Sequence, residues 1–289
     1  MGTVNFNFRS QALGHYVDVT IIYPTDEYSW YDESTDGSRQ MMPGLRVRPV
    51  YQRGMKFQTV YLIHGGGDDH TLTYRYSNAE RYAQDNRVML VTPNIPNSFG
   101  VDTCYSVRNQ TFLTEELPVV IQTLFASSPV REDNFIMGYA MGGNAALGAA
   151  IARPDLYAAC VDISGGIGLT VKTETLIQEL QGDHFRKYFP LYHATFGAAE
   201  EIRGSRFDLG AVAKRNADPA KQSQLFIACG SREFIRPRVE DDVAALRALG
   251  YRVSYEVAEG CNHDFEFWDM YIRKALYELL PLKRAAVQR

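Results

Sequence analysis

From position 16 onward the chain alternates short apolar runs with longer stretches of mixed character. Residues 16–23, Tyr-Val-Asp-Val-Thr-Ile-Ile-Tyr, are rich in β-branched side chains and partly alternating, which predicts a strand. Further apolar runs predict strands at 59–63, 88–92, 134–137, 159–164, 225–229 and 252–257. Between them lie helical patterns at 78–85, 112–125, 144–152, 239–249 and 264–279. Gly250 marks a helix stop, and Pro118 suits a first helical turn or a kink. Apolar strands alternating with helices indicate an α/β fold, with a mostly parallel central sheet covered on both faces.

The alternation continues from 59 to 279 with no sign of a second core, so one domain spanning 1–289 is expected. Two stretches interrupt it. Residues 24–55 are rich in Pro, Gly, Asp and Ser and predict a long loop or a hairpin insertion. Residues 167–223 have no strand pattern, only short amphipathic pieces with Phe185, Tyr188, Phe189, Tyr192 and Phe196. They are expected to form a helical cap inserted in the fold.

Composition narrows the function classes. Hydrophobic residues make up 45% of the 289 positions and charged ones 22%, ordinary for a globular protein with a sizeable core. The formal charge of −4 gives no basic excess for nucleic acid. No apolar run approaches ~20 residues, so no membrane span is expected. Residues 1–10 lack the apolar core of a signal peptide. Cys104, Cys160, Cys229 and Cys261 form no C-x-x-C pair, so four free thiols and no zinc site are expected. Together these favour a cytoplasmic protein, with a secreted form whose signal has been removed left open.

The chemistry gathers at strand ends. Residues 138–143 read Gly-Tyr-Ala-Met-Gly-Gly between a strand and a helix, the setting of a G-x-S-x-G nucleophile elbow. Ala140 stands where that chemistry needs serine. Read alone, the segment fits a small-residue helix packed on a sheet equally well. After the strand at 59–63 comes His64-Gly65-Gly66-Gly67. Such a loop can offer a backbone N–H to a developing oxyanion, here from Gly66, with Met141 as the second donor. A plain turn is the other reading, and a phosphate loop lacks the required G-K-[ST]. His263 follows the last strand, where a general base would sit. Glu233 follows the strand ending at Cys229, where a carboxylate can orient that base. Asp241 and Asp242 are rivals but resemble first-turn helix acids, and Asp162 on a strand reads as structural. The order Ala140, Glu233, His263 is that of nucleophile, acid and base in α/β-hydrolases.

The chain resembles the esterase D-like α/β-hydrolases, which include S-formylglutathione hydrolase, tributyrin, feruloyl and acetyl-xylan esterases, and mycolyltransferases. The resemblance rests on Ser10-Gln11-Ala12-Leu13-Gly14, Leu62-Ile63-His64-Gly65-Gly66-Gly67-Asp68-Asp69, Glu80-Arg81-Tyr82-Ala83, Gly138-Tyr139-Ala140-Met141-Gly142-Gly143, Cys229-Gly230-Ser231-Arg232-Glu233-Phe234 and His263-Asp264-Phe265-Glu266-Phe267-Trp268-Asp269. It is closest to the tributyrin and feruloyl esterase branch and weakest over 24–56 and 167–223. It implies the α/β-hydrolase fold and a serine carboxylesterase with a Ser-His-Glu triad. The chain departs from the family at Ala140, and mildly at Glu233, where Asp is commoner. The departure at 140 implies an enzyme inactivated by an engineered Ser-to-Ala change. The alternatives are a natural pseudoenzyme that binds acyl esters or a protein partner, and a hydrolase using Cys261.

The expected substrates are small acyl or hydroxycinnamoyl (feruloyl-type) esters, free or carbohydrate-linked. Phe99, Tyr105, Tyr188 and Trp268 are candidate pocket residues, although aromatics of this kind also simply pack a cap. No cofactor is implied. Asp68, Asp69 and His70 read as a solvated turn rather than a metal site. The oligomeric state stays open.

Overall fold

The computed structural model describes residues 1–33, 39–48, 50–166, 177–178, 181–182, 194–205 and 207–288. Its centre is strand β6, Thr59–Ile63, whose five residues are all buried. β6 lies between β7 (Met89–Pro93) and β8 (Asn134–Tyr139), parallel to both. Beyond β8 come β9 (Ala159–Ile163), β10 (Gln224–Gly230) and β11 (Val253–Ala258), also parallel. On the other flank β2 (Tyr16–Tyr23) pairs antiparallel with β7, and β1 (Gly2–Arg9) antiparallel with β2. The eight-stranded order is β1-β2-β7-β6-β8-β9-β10-β11.

Strand alternation sorts the side chains into two cores. Tyr61, Ile63, Ile136, Cys160, Leu225 and Ile227 face one side. There they meet Ala145, Ala146 and Ala149 of the helix Met141–Ala152, and Val239 and Val243 of the helix Arg236–Ala248. Val60, Leu62, Phe135, Met137, Val161 and Ala228 face the other side. Tyr82 and Ala83 of the helix Ala79–Asp85 cover them, with Phe267 and Ile272 of the helix Phe265–Lys274. Burying each large aliphatic or aromatic side chain contributes about 1.5–3 kcal/mol.

The structure adds to the sequence expectation in several places. β1 is an edge strand whose residues are only partly covered, so its sequence lacks an apolar signature. The segment 24–55 holds a two-stranded hairpin, β3 (Glu27–Glu33) with β4 (Arg39–Arg48), which is the hairpin form of the insertion, and the two-residue strand β5 (Met55–Lys56) follows it. The helix expected at 144 starts three residues earlier, at Met141. The expected helix at 112–125 opens with a wide turn, Phe112–Glu116, and Pro118 sits in the first turn of the α-helix Leu117–Leu124. Of the expected cap, Leu209–Arg215 is helical, and the Asp208 side chain accepts the Ala211 N–H at its start. Phe185, Tyr188, Phe189 and Tyr192 lie outside the described residues.

Two carboxylates tie distant segments to this frame. Asp269 accepts the Asn78 N–H at 2.8 Å and the Tyr82 hydroxyl at 3.0 Å, locking the two helices on one face together. Glu116 receives the Ser10 hydroxyl at 2.5 Å and the Gln11 and Ala12 N–H groups at 2.8 and 3.1 Å. That clamp fixes the turn between β1 and β2. Both oxygens are used as acceptors, so an amide presents an N–H group to donors. Glu116→Gln is therefore expected to lower unfolding free energy by about 1–3 kcal/mol in urea denaturation, with an unchanged slope.

Candidate active site

β8 ends at Tyr139, and the next helix begins at Met141, leaving one residue for the turn. That residue, Ala140, has φ 50° and ψ −124°. A side chain at positive φ costs about 1–3 kcal/mol unless the surroundings enforce it. Here the Ala140 N–H donates to Ile163 O at 2.8 Å, and Ala140 O accepts the Gly143 N–H at 3.0 Å. The flanking glycines are steric necessities. A Cβ on Gly138 would lie 2.2 Å from Gly142 O, and one on Gly142 would lie 2.1 Å from Ile63 O. The helix can start this close to the sheet only where both lack side chains.

The same approach brings the loop after β6 beside the elbow. A Cβ on Gly66 would stand 3.6 Å from that of Met141. Met141 opens its helix, so its N–H has no intrahelical acceptor. His64 supports the loop from within. Its Nε2 accepts the Ile95 N–H at 3.0 Å, which makes Nδ1 the protonated nitrogen, donating to Gly65 O at 2.8 Å. Burial pushes the His64 imidazole below its ordinary range, so it stays neutral.

Two further loops meet at the ends of β10 and β11. The Arg232 N–H donates to Cys261 O at 3.0 Å, and the Gly260 N–H to the Ser231 hydroxyl at 2.9 Å. This staple sets Glu233 against His263, with Oε2 2.9 Å from Nδ1. The Glu233 side chain is fully buried, and that of His263 is 25% exposed. Glu233 Oε1 accepts the Gly230 N–H at 2.8 Å and the Ser164 hydroxyl at 2.6 Å. With Nδ1–H given to the carboxylate, Nε2 is left as the accepting nitrogen. The His263 ring meets Trp268 edge-on at 5.0 Å, and Trp268 stacks on Tyr139 at 4.8 Å, one residue before Ala140. Aromatic packing thus links the elbow to the histidine loop.

The other sequence candidates are placed as follows. Phe99 is buried and stacked on Phe196 at 6.1 Å, while its carbonyl accepts the Asn144 amide. Tyr105 is 70% exposed, and Tyr188 lies outside the described residues. Asp241 and Asp242 lie inside the helix Arg236–Ala248, and Asp242 is buried. Burial, then the Asp264 and Glu233 carboxylates, push the Cys261 thiol up, which disfavours its nucleophilic form. All four cysteines are free. Asp69 accepts the Thr71 N–H and hydroxyl within its own turn. Ser164 reads in the sequence merely as a strand end. Its signal is a serine followed by Gly165 and Gly166 where a strand stops, and it holds φ 59°.

The Esterase family model matches residues 39–279. The chain belongs to the Esterase family. An acetyl esterase from Caldicellulosiruptor saccharolyticus is 26% identical over 247 residues, 80% of this chain and 90% of that protein. An S-formylglutathione hydrolase from Staphylococcus aureus aligns over 96% of this chain and 98% of its own, with TM-score 0.72 and 23% identity. A feruloyl esterase module from Clostridium thermocellum, a serine-to-alanine mutant complexed with sinapinate, covers 98% and 89%, with TM-score 0.61 and 14% identity. The fold is thus the α/β-hydrolase fold expected from the sequence, and by family the chain is a carboxylic ester hydrolase. No helix among the described residues is long and apolar enough to cross a membrane.

Two measurements probe this geometry. Gly142→Ala drives a Cβ into the Ile63 carbonyl and is expected to destabilise the esterase by more than about 3 kcal/mol, read by urea denaturation. Asp162 is buried beneath the elbow helix, and its carboxyl is pushed up to about 8, first by burial and then by Asp242 and Glu233. The folded state therefore keeps a proton that the unfolded chain releases from about pH 4 upward. Its contribution to stability is full below that and falls as pH rises toward 8. Asp162→Asn removes this loss, so the variant's Tm should gain on the parent's between pH 5 and 8.5.

Proposed function

We propose that Ala140 occupies the nucleophile position of a serine carboxylesterase, with His263 as general base and Glu233 as its orienting acid. The observation that carries this reading is the buried Glu233 carboxylate, 2.9 Å from His263 Nδ1, packed through Trp268 and Tyr139 onto a strained elbow. With serine at 140, Oγ would attack the ester carbon as His263 Nε2 takes its proton. Glu233 would steady the imidazolium, and the Gly66 and Met141 N–H groups would hold the oxyanion. The protonated His263 would then release the alcohol. Water would next attack the acyl-enzyme by the same base and free the acid.

With alanine the pocket and oxyanion donors remain, but the covalent step has no attacking oxygen. In subtilisin, loss of the serine lowers turnover by about 10⁶. The chain is then an ester binder that cleaves nothing, the form in which an intact ester is trapped. The acetyl esterase relative and the sinapinate-bound feruloyl module support short acyl and hydroxycinnamoyl esters, small or carbohydrate-linked, as its substrates.

The experiment is Ala140→Ser assayed with p-nitrophenyl acetate and methyl ferulate. We expect at least ~10⁴-fold more turnover than the parent on one of them. Adding Glu233→Ala or His263→Ala should abolish the gain, and adding Cys261→Ala should leave it. A well-folded revertant that is inactive on both esters overturns the reading.

A further inference from the structure

We infer that Ser164 is a positioning residue: its buried hydroxyl sets the rotation of the Glu233 carboxylate and, with it, the Trp268 ring that His263 packs against. This rests on the triad reading above, and the test below separates the two.

The hydrogen-bond directions follow from chemistry alone. An indole N–H can only donate, so Trp268 Nε1 gives its proton to Ser164 Oγ at 3.2 Å. The serine hydroxyl then has its single proton to give, and it lies 2.6 Å from Glu233 Oε1. The Gly230 N–H fills the same carboxylate oxygen from another direction at 2.8 Å. With Oε1 held by two donors, Oε2 is turned toward His263 Nδ1. Donation therefore converges on the carboxylate, from indole through hydroxyl on one side and from the imidazole on the other. The set of contacts closes on itself, because the same indole ring lies 5.0 Å from the His263 ring. Ser164 is 1% exposed, so bulk water does not reach its hydroxyl.

The backbone argues that this side chain is used. Ser164 has φ 59°, a conformation that favours glycine, and the next two residues are Gly165 and Gly166. A third glycine would relieve the strain. A serine at such a position is held there by what its hydroxyl contacts. Glycine also provides the control, because it removes the hydroxyl and the strain together. A purely conformational role predicts that glycine replaces serine well, whereas a hydroxyl role predicts that glycine fails as alanine does.

The test has an activity arm and a spectroscopic arm. In the Ala140→Ser background, Ser164→Ala and Ser164→Gly are each expected to lower kcat roughly 10- to 100-fold, with KM changed less than about threefold. In the Ala140 protein itself, nuclear magnetic resonance of labelled histidine reads the His263 Nδ1 proton held by Glu233. That signal should be lost in both variants. In a Trp30→Phe background, where Trp268 is the only tryptophan, its emission should shift in both. If Ser164→Ala fails to fold, Ser164→Gly still decides. A folded Ser164→Gly protein that keeps kcat, the Nδ1 proton and the emission overturns the inference. Loss of the proton in Ser164→Gly, with no activity in Ala140→Ser, supports Ser164 and overturns the nucleophile reading instead.

Discussion

The close approach of a helix N-terminus to the centre of a parallel sheet is the constraint on which the rest depends. Gly138 and Gly142 permit it, since a methyl group on either would stand little more than 2 Å from a backbone atom. Three consequences follow from this one contact. It forces Ala140 into positive φ, places the first helical N–H beside the Gly66 loop, and frees Tyr139 to end β8 against Trp268. None of these is a local preference of the residues concerned. Alanine does not choose φ 50°, and the interior of a tight turn is no natural place for a helix to begin.

On the opposite rim the constraint is electrostatic. A carboxylate with no exposed surface is expensive unless its oxygens are filled by donors. Glu233 is filled by a backbone N–H, a hydroxyl and an imidazole, each from a different strand end. Asp162 and Asp242 lie deeper, between the sheet and its helices. The burial that keeps Asp162 protonated leaves Glu233 with one fewer negative neighbour. Steric packing builds one half of the proposed site, and satisfaction of a buried charge builds the other.

Much of this was legible in the chain. The parallel strands and their helices stand out because they are buried on both faces, and continuous apolar runs are the direct record of that burial. Ala140, Gly66, Glu233 and His263 could be chosen because each follows a strand, where a loop is held in place by the sheet. β1 was not legible, since an edge strand with partly exposed residues leaves no such run. Ser164 was missed for another reason. Its meaning lies in Glu233 and Trp268, which are 69 and 104 positions away, and no local pattern encodes that meeting. The candidate pocket aromatics sit in different surroundings, because aromatic composition alone does not say whether a ring is packed or open. Phe99 is locked in the core against Phe196, whereas Tyr105 is open to solvent.

The strain at position 140 is borne by backbone hydrogen bonds and two glycines, with no contribution from the side chain of residue 140 itself. Architecture and reactivity are therefore written separately in this chain. On the proposed function, a single oxygen atom would separate a catalyst from a receptor, and none of the contacts that hold the turn depends on it. Exchanging cleavage for retention would then take one substitution that leaves the backbone hydrogen bonds and the flanking glycines of the turn in place.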